Sequence, residues 1–303
     1  MSRRLATFLL IALVLPLLAA GRADGRTREH WIAAEPVDWE MAPNGRDAIH
    51  GASLDPASTH LRTVVYREYS PNWRKRLPAG RGQGITGPML RGRVGDRLVI
   101  HFKNRDTLFR RPHSMHFHGV HYPFGSDGSY IPGFSGMGAK VMPGEDYTYQ
   151  LVAGEDSRGV WSYHDHSPSM DPSIAGGLYG SLSILGRRER RPDREFLVFM
   201  SQLGDYSAIN GRAFVGNTPV FRARVGETVQ WSVLTLGDDF HTFHVHGHRW
   251  RRPDGTPEDT RAIGPAESFT VRWREDRPGT WLYHCHVESH MAHGMIGIYR
   301  VTR

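Results

Sequence analysis

Residues Trp281 to Met295 read W-L-Y-H-C-H-V-E-S-H-M-A-H-G-M, and the rest of the chain is organised around them. The only cysteine of the protein, Cys285, stands between His284 and His286, with His290 and Met295 following. Val271–Trp273 and Thr280–Tyr283 have strand character, which predicts extended backbone through His284–His286. Side chains alternate faces along a strand. His284 and His286 then point one way and Cys285 the other, so one segment can serve two metal centres back to back. Cysteine, two histidines and a weak methionine are the ligand types of a blue-copper site: soft thiolate, imidazole and long thioether. A lone cysteine is otherwise a small buried hydrophobe, but H-C-H with His and Met following is not a packing pattern.

The N-terminus is of a different kind. Arg3 and Arg4 precede an apolar run from Leu5 to Ala20, and Gly21-Arg22-Ala23 follows. A basic start, an apolar stretch and a small-x-small cleavage site predict a signal peptide over residues 1–23. The run contains Pro16 and is short for a membrane span; a retained N-terminal anchor is the competing interpretation. Ser2-Arg3-Arg4 with Phe8-Leu9 is a loose match to the twin-arginine route. A periplasmic or secreted protein is expected, with no membrane association once the signal is cleaved. One cysteine cannot form an internal disulfide, and a bound metal would occupy the spare thiol. The net charge is +7 and only three of the 38 basic residues are lysine, with acidic residues interleaved. No basic–aromatic stripe of the kind single strands need is present, so no nucleic-acid partner is expected.

Residues 24–60 read as an irregular N-terminal extension. Beyond it the signals are those of hairpin-rich β-structure. Leu61–Tyr69 is strand-like, and Val94, Leu98, Ile100 and Phe102 alternate around a Gly95-Asp96 turn. Asp146–Val152 and Leu178–Leu185 add strands. A charged, Pro-containing bridge, Arg187–Arg194, divides the chain, and the pattern recurs: Gly216–Val233 parallels Gly87–Lys103 in order and spacing. Each half has a Pro, a short strand, V-G-[DE], an alternating strand, then one His motif and finally a second. The inference is an all-β chain of two related Greek-key β-sandwich domains, 61–188 and 189–303, with little helix.

The motifs are His116-x-His118, His164-x-His166, His241-x2-His244-x-His246 and His284-Cys285-His286-x3-His290. Each H-x-H puts two imidazoles on one strand face. His241 has the opposite parity to His244 and His246, so it can face the Cys285 side. The histidines thus divide into a mononuclear site (His241, His290, Cys285 and Met295) and a polynuclear site built from the eight in H-x-H pairs. Imidazoles without carboxylates suit copper better than calcium, magnesium or structural zinc. His30, His50, His60, His101, His113, His121, His248 and His293 have no motif partner and read as surface residues or supports of the ligands.

These four motifs resemble those of the multicopper oxidases, and the two-domain length resembles the bacterial small laccases. The similarity spans most of the mature chain: G-P-M-L near Gly87, H-F-H-G at His116, Y-H-D-H at Tyr163, G-L-Y-G at Gly177 and H-G-H-R-W at His246. Trp31 to Asn104 is also similar to a ceruloplasmin or hephaestin repeat. The resemblance implies two cupredoxin-like domains and four coppers per chain equivalent. Type 2 copper would sit on His116 and His244. One type 3 copper would sit on His118, His164 and His286, the other on His166, His246 and His284. Type 1 copper would sit on His241, Cys285 and His290, with Met295 axial. Asp165 stands in the first half where Cys285 stands in the second, so no blue site is expected there. That placement also argues against a copper nitrite reductase, whose blue site lies in the first domain.

The implied reaction is one-electron oxidation of a small reductant, through the His290 edge, coupled to reduction of dioxygen to water. Tyr122 and Asp127 fall where small laccases carry a tyrosine and an aspartate near the cluster, which makes Asp127 the candidate proton donor; alternatively Ser126-Asp127-Gly128 is a plain turn. Asp165 is a candidate to orient a ligand imidazole. A ferroxidase or cuprous oxidase is the rival enzyme. Ferroxidases of the ceruloplasmin type have an acid directly before the last type 1 histidine; here that position is Ser289, and Glu288, one earlier, would face elsewhere on an extended chain. A copper store is the non-enzymatic rival. A two-domain chain implies that clusters form between subunits, closing as a homotrimer.

Overall fold

The computed structural model describes residues 25–80 and 82–303; the signal-peptide segment lies outside the described residues. Each half is a sandwich of two sheets. In the first half one sheet has the spatial order His60–Tyr69, Thr27–Glu40, Arg97–Asn104, Asp146–Val152, and the other Met89–Arg93, Tyr179–Leu185, Gly159–His164, His116–Phe117. The second half repeats this plan. Tyr206–Ile209, Arg194–Leu203, Thr228–Thr235 and Ser268–Arg274 form one sheet. Val220–Arg224, Ile296–Thr302, Gly279–Cys285, His241–Val245 and Thr260–Ile263 form the other.

The alternation read from the sequence is realised: Leu98, Ile100 and Phe102 are fully buried while their neighbours are partly exposed. The V-G-[DE] turn is the same device twice. Gly95 and Gly226 have φ of +97° and +89°, the left-handed region that favours glycine. The acid that follows then takes a backbone N–H, Arg93 N on Asp96 and Arg224 N on Glu227. In the first half Phe102, Tyr149 and Tyr163 fill the core; in the second Trp231, Phe243 and Tyr299 do.

One expectation needs correcting. The stretch 24–60 is not an irregular extension, because Thr27–Glu40 is a 14-residue strand inside the first sandwich. It pairs parallel with Arg97–Asn104 and antiparallel with His60–Tyr69. Ile32, Ala33 and Ala34 are all fully buried, and a strand covered on both faces loses the alternation that betrays strands elsewhere. Pro36 lies past Ala34, where the parallel ladder has ended and the strand has one neighbour; proline is tolerated there.

The two sandwiches meet through an apolar seam. Val160, Tyr179, Leu197, Phe199, Leu234 and Leu236 form one buried cluster, with Tyr179 stacked on Phe199 at 4.2 Å. Helix is limited to short turns, the longest being Met170–Ala175.

Candidate metal centres

The strand Gly279–Cys285 carries the H-C-H segment and runs antiparallel to His241–Val245, with Phe243 opposite Cys285 and His244 opposite His284. Strand alternation therefore sorts the side chains as the parity argument expected. On the inner face Cys285 Sγ lies 3.9 Å from His241 Nδ1 and 3.7 Å from His290 Nδ1, and the two nitrogens are 3.1 Å apart. Met295 is fully buried in the same core cluster, and its carbonyl accepts from Cys285 N. On the outer face His246 Nε2 is 3.0 Å from His284 Nε2, and the His244 ring is 5.4 Å from His284 and 5.6 Å from His286.

The first half holds a matching set. His116 pairs with His164 across two strands. His118 Nε2 is 3.1 Å from His164 Nε2, and the His116 ring lies 5.3 Å from His166. Among the described residues each close contact between these eight rings stays within its own half. The structure thus gathers three groups able to hold a metal: His116, His118, His164; His244, His246, His284; and His241, Cys285, His290.

Hydrogen bonds fix which nitrogen is free. Carbonyl oxygens accept from Nδ1 of His116 (Asp127 O, 2.7 Å), His164 (Asp165 O, 2.9 Å), His244 (Asp259 O, 2.7 Å) and His284 (Cys285 O, 2.7 Å). Each Nδ1 must carry the proton, which leaves Nε2 with the lone pair a metal needs. Burial holds His118, His164, His241 and His284 neutral, with pKa values lowered to about 4. Burial also pushes the Cys285 thiol up, against the pull of N–H groups from Thr242 and Val287. A buried thiol beside two neutral imidazoles fits a soft, thiophilic ion such as copper, which would displace the proton. Donor atoms 3.1–3.9 Å apart leave room for one ion at roughly 2.0–2.3 Å from each.

Tyr122 and Asp127 both flank His116. The Tyr122 ring is 6.0 Å from it, and the Asp127 carboxylate is 3.6 Å from its Nδ1. Burial, with the Asp127 charge, raises the Tyr122 hydroxyl above its usual range. The sequence missed the counterpart in the second half: Asp259 O and Thr260 Oγ1, at 2.7 and 2.9 Å, hold His244 as Asp127 O and Ser129 Oγ hold His116.

Three further expectations are revised. His113 is no surface residue but is buried, with its ring between Asp165 (3.0 Å) and Asp106 (3.1 Å). The signal was present, since His113-x2-His116-x-His118 repeats the spacing of His241-x2-His244-x-His246. The Asp165 carboxylate orients His113 and Ser114 rather than a ligand ring; its backbone carbonyl is what holds His164. The parity argument that set Glu288 aside also fails, because Glu288–Ala292 is a helical turn.

Two β-sandwiches, one with a buried Cys–His–His centre and both with rings of histidine on one edge, define a cupredoxin-like copper protein. Sequence models of the multicopper oxidase family match residues 64–189 and 189–303, and the chain belongs to that family. Human ceruloplasmin is 30% identical over 90% of this chain and 31% of its own length. A probable nitrite reductase–hydroxylamine oxidoreductase fusion protein of Kuenenia stuttgartiensis is 30% identical over 72% of this chain and 27% of its own. The chain thus spans less than a third of these curated relatives. A solved multicopper oxidase superposes with a TM-score of 0.70 at 27% identity, covering 91% of this chain and 89% of that one.

Proposed function

We propose that this copper oxidoreductase is of the laccase type, taking single electrons from phenolic or similar small donors and using dioxygen as acceptor. The observation that carries this is the back-to-back use of one strand end: Cys285 faces His241 and His290, while His284, its covalent neighbour, faces His244 and His246. Bound copper would supply a one-electron acceptor beside Cys285 and, at the eight histidines, four electrons for reducing dioxygen to water. The ligand division is the one the family resemblance implies. His241, Cys285, His290 and Met295 hold type 1 copper, and His116 and His244 hold type 2. His118, His164 and His286 hold one type 3 ion, and His166, His246 and His284 the other. The protein's own part is to keep these imidazoles neutral and aimed by Nδ1–carbonyl bonds, and to bring a proton through Asp127, with Tyr122 beside it.

Four histidines lie in each half and close only on one another. A complete cluster then needs the second half of another subunit, and a head-to-tail contact of that kind must close into a ring. This supports a homotrimer with clusters at its interfaces. The N-terminal segment supports export to the periplasm or beyond.

Ferroxidase or cuprous oxidase activity is the second possibility, favoured by the likeness to ceruloplasmin and by Glu288 in the helical turn that carries His290. Oxygen uptake by purified protein with 2,6-dimethoxyphenol and with ferrous ion separates the two. Faster turnover of the phenol supports the laccase assignment; turnover of ferrous ion alone overturns it.

A further inference from the structure

A cleft of about 400 Å³ lies between the two sandwiches, and His241 forms part of its wall. Electrons were expected to arrive at the His290 edge, yet His290 does not line this cleft. His241 is 1% exposed, and its Nδ1 is turned to Cys285 and His290. The ring edge carrying Nε2 is what remains to face the cleft, and Nε2 has no hydrogen-bond partner among the described residues. Around it stand Asp238 and Asp239, from the loop before His241, and Asp171 from the turn Met170–Ala175. No lysine or arginine lines the cleft, in a chain whose net charge is +7. The remaining wall is largely apolar, with Ile174 and Leu236 among it.

We propose that this cleft is a docking site for an organic cation, an aromatic amine or ammonium, which gives its electron at the His241 edge. The inference rests on the oxidase function proposed above and names a substrate class for it. Charge selects the cation, and the apolar wall selects an organic one. A bare metal ion fits less well, because Asp171, Asp238 and Asp239 do not converge within 4.8 Å as the three histidine groups do. The balance is simple. Each donor loses one electron and leaves one unit more positive, and four donors with four protons convert one dioxygen to two waters.

The test separates docking from turnover. Phenyltrimethylammonium, an aromatic cation that cannot be oxidised at its nitrogen, is titrated calorimetrically into the copper-loaded protein. Asp171→Asn/Asp238→Asn/Asp239→Asn should weaken its binding about tenfold, the size expected from three exposed charges, and salt should weaken it in the wild type. A second variant, Ala175→Trp, narrows the cleft without touching charge. It should lower kcat/KM for 4-amino-N,N,N-trimethylanilinium relative to ferrocyanide, an anionic donor. Equal cation affinity in wild type and the triple variant, or an unchanged donor ratio in Ala175→Trp, overturns the cleft. If the cation binds through the carboxylates but no donor is oxidised, the oxidase function fails and the docking site stands.

Discussion

The two halves present the same histidine frame and close it with different chemistry. In the second half His241 and Cys285 turn inward and meet His290, three neutral donors suited to a metal. In the first half His113 and Asp165 occupy the matching places, and Asp106 takes the third corner. His113 bonds a carboxylate through each ring nitrogen, and all three side chains are sealed from solvent. Burial acts to lower the His113 pKa, but the two carboxylates overcome it and raise it; both carboxyls stay below their usual range despite burial. Five residues beyond Cys285 the chain supplies His290, whereas five beyond Asp165 it supplies Met170. A few substitutions on a shared frame thus decide between a metal and a proton as the buried cation. The outward-facing histidines are untouched by that choice, because their Nδ1 bonds go to backbone carbonyls that any residue provides.

The largest expected effect breaks the equivalence of the halves as cluster halves. His164→Ala in the first half and His246→Ala in the second should each abolish oxidase activity. Coexpressed, they should regain part of it, because some interfaces pair two intact halves. Mixed oligomers that form and remain inactive would place the clusters within single chains.

Next comes the buried charge group. Asp165→Asn leaves His113 with one carboxylate in a sealed site, and breaking a buried pair costs about 3–5 kcal/mol. The melting temperature should drop accordingly, and the blue colour of the second half should persist. A melting temperature within a degree of wild type would reduce the group to packing.

A smaller effect concerns pH. His118, His164, His241 and His284 fall from 6.5 to about 4 on folding. Between those values the unfolded chain binds protons that the folded chain does not, so acid destabilises. The His113 group behaves oppositely: a raised histidine keeps its contribution below 6.5, and lowered carboxyls keep theirs above 3.8. Metal-free protein should therefore melt lower at pH 5 than at pH 7. A flat profile would contradict the neutral-histidine account. The smallest change is expected from Asp127→Asn, which should slow reoxidation of reduced protein by dioxygen while leaving reduction by the donor largely intact. Equal reoxidation rates would return Asp127 to a turn residue.

Much of this was legible in the sequence because strands write their geometry as a two-residue period. The parity of His241 against His244, and of Cys285 against its neighbours, placed both faces correctly. What the period could not show lay where it is absent. Thr27–Glu40 is covered on both sides and carries Pro36, so it resembled loop. Glu288–Ala292 is a single helical turn, too short for a helical pattern. His113 depended on Asp106, a partner seven residues away in a loop that no motif marks. Asp259 and Thr260 act on His244 partly through backbone oxygen, which leaves no residue signature.

The central claim is that Cys285 belongs to one centre and its two neighbours to another. Metal content and absorption of wild type and Cys285→Ser test it most directly. The account predicts a blue wild type with four coppers per chain equivalent, and a colourless variant that loses one and keeps the rest. A variant that stays blue, or zinc in place of copper, would contradict it.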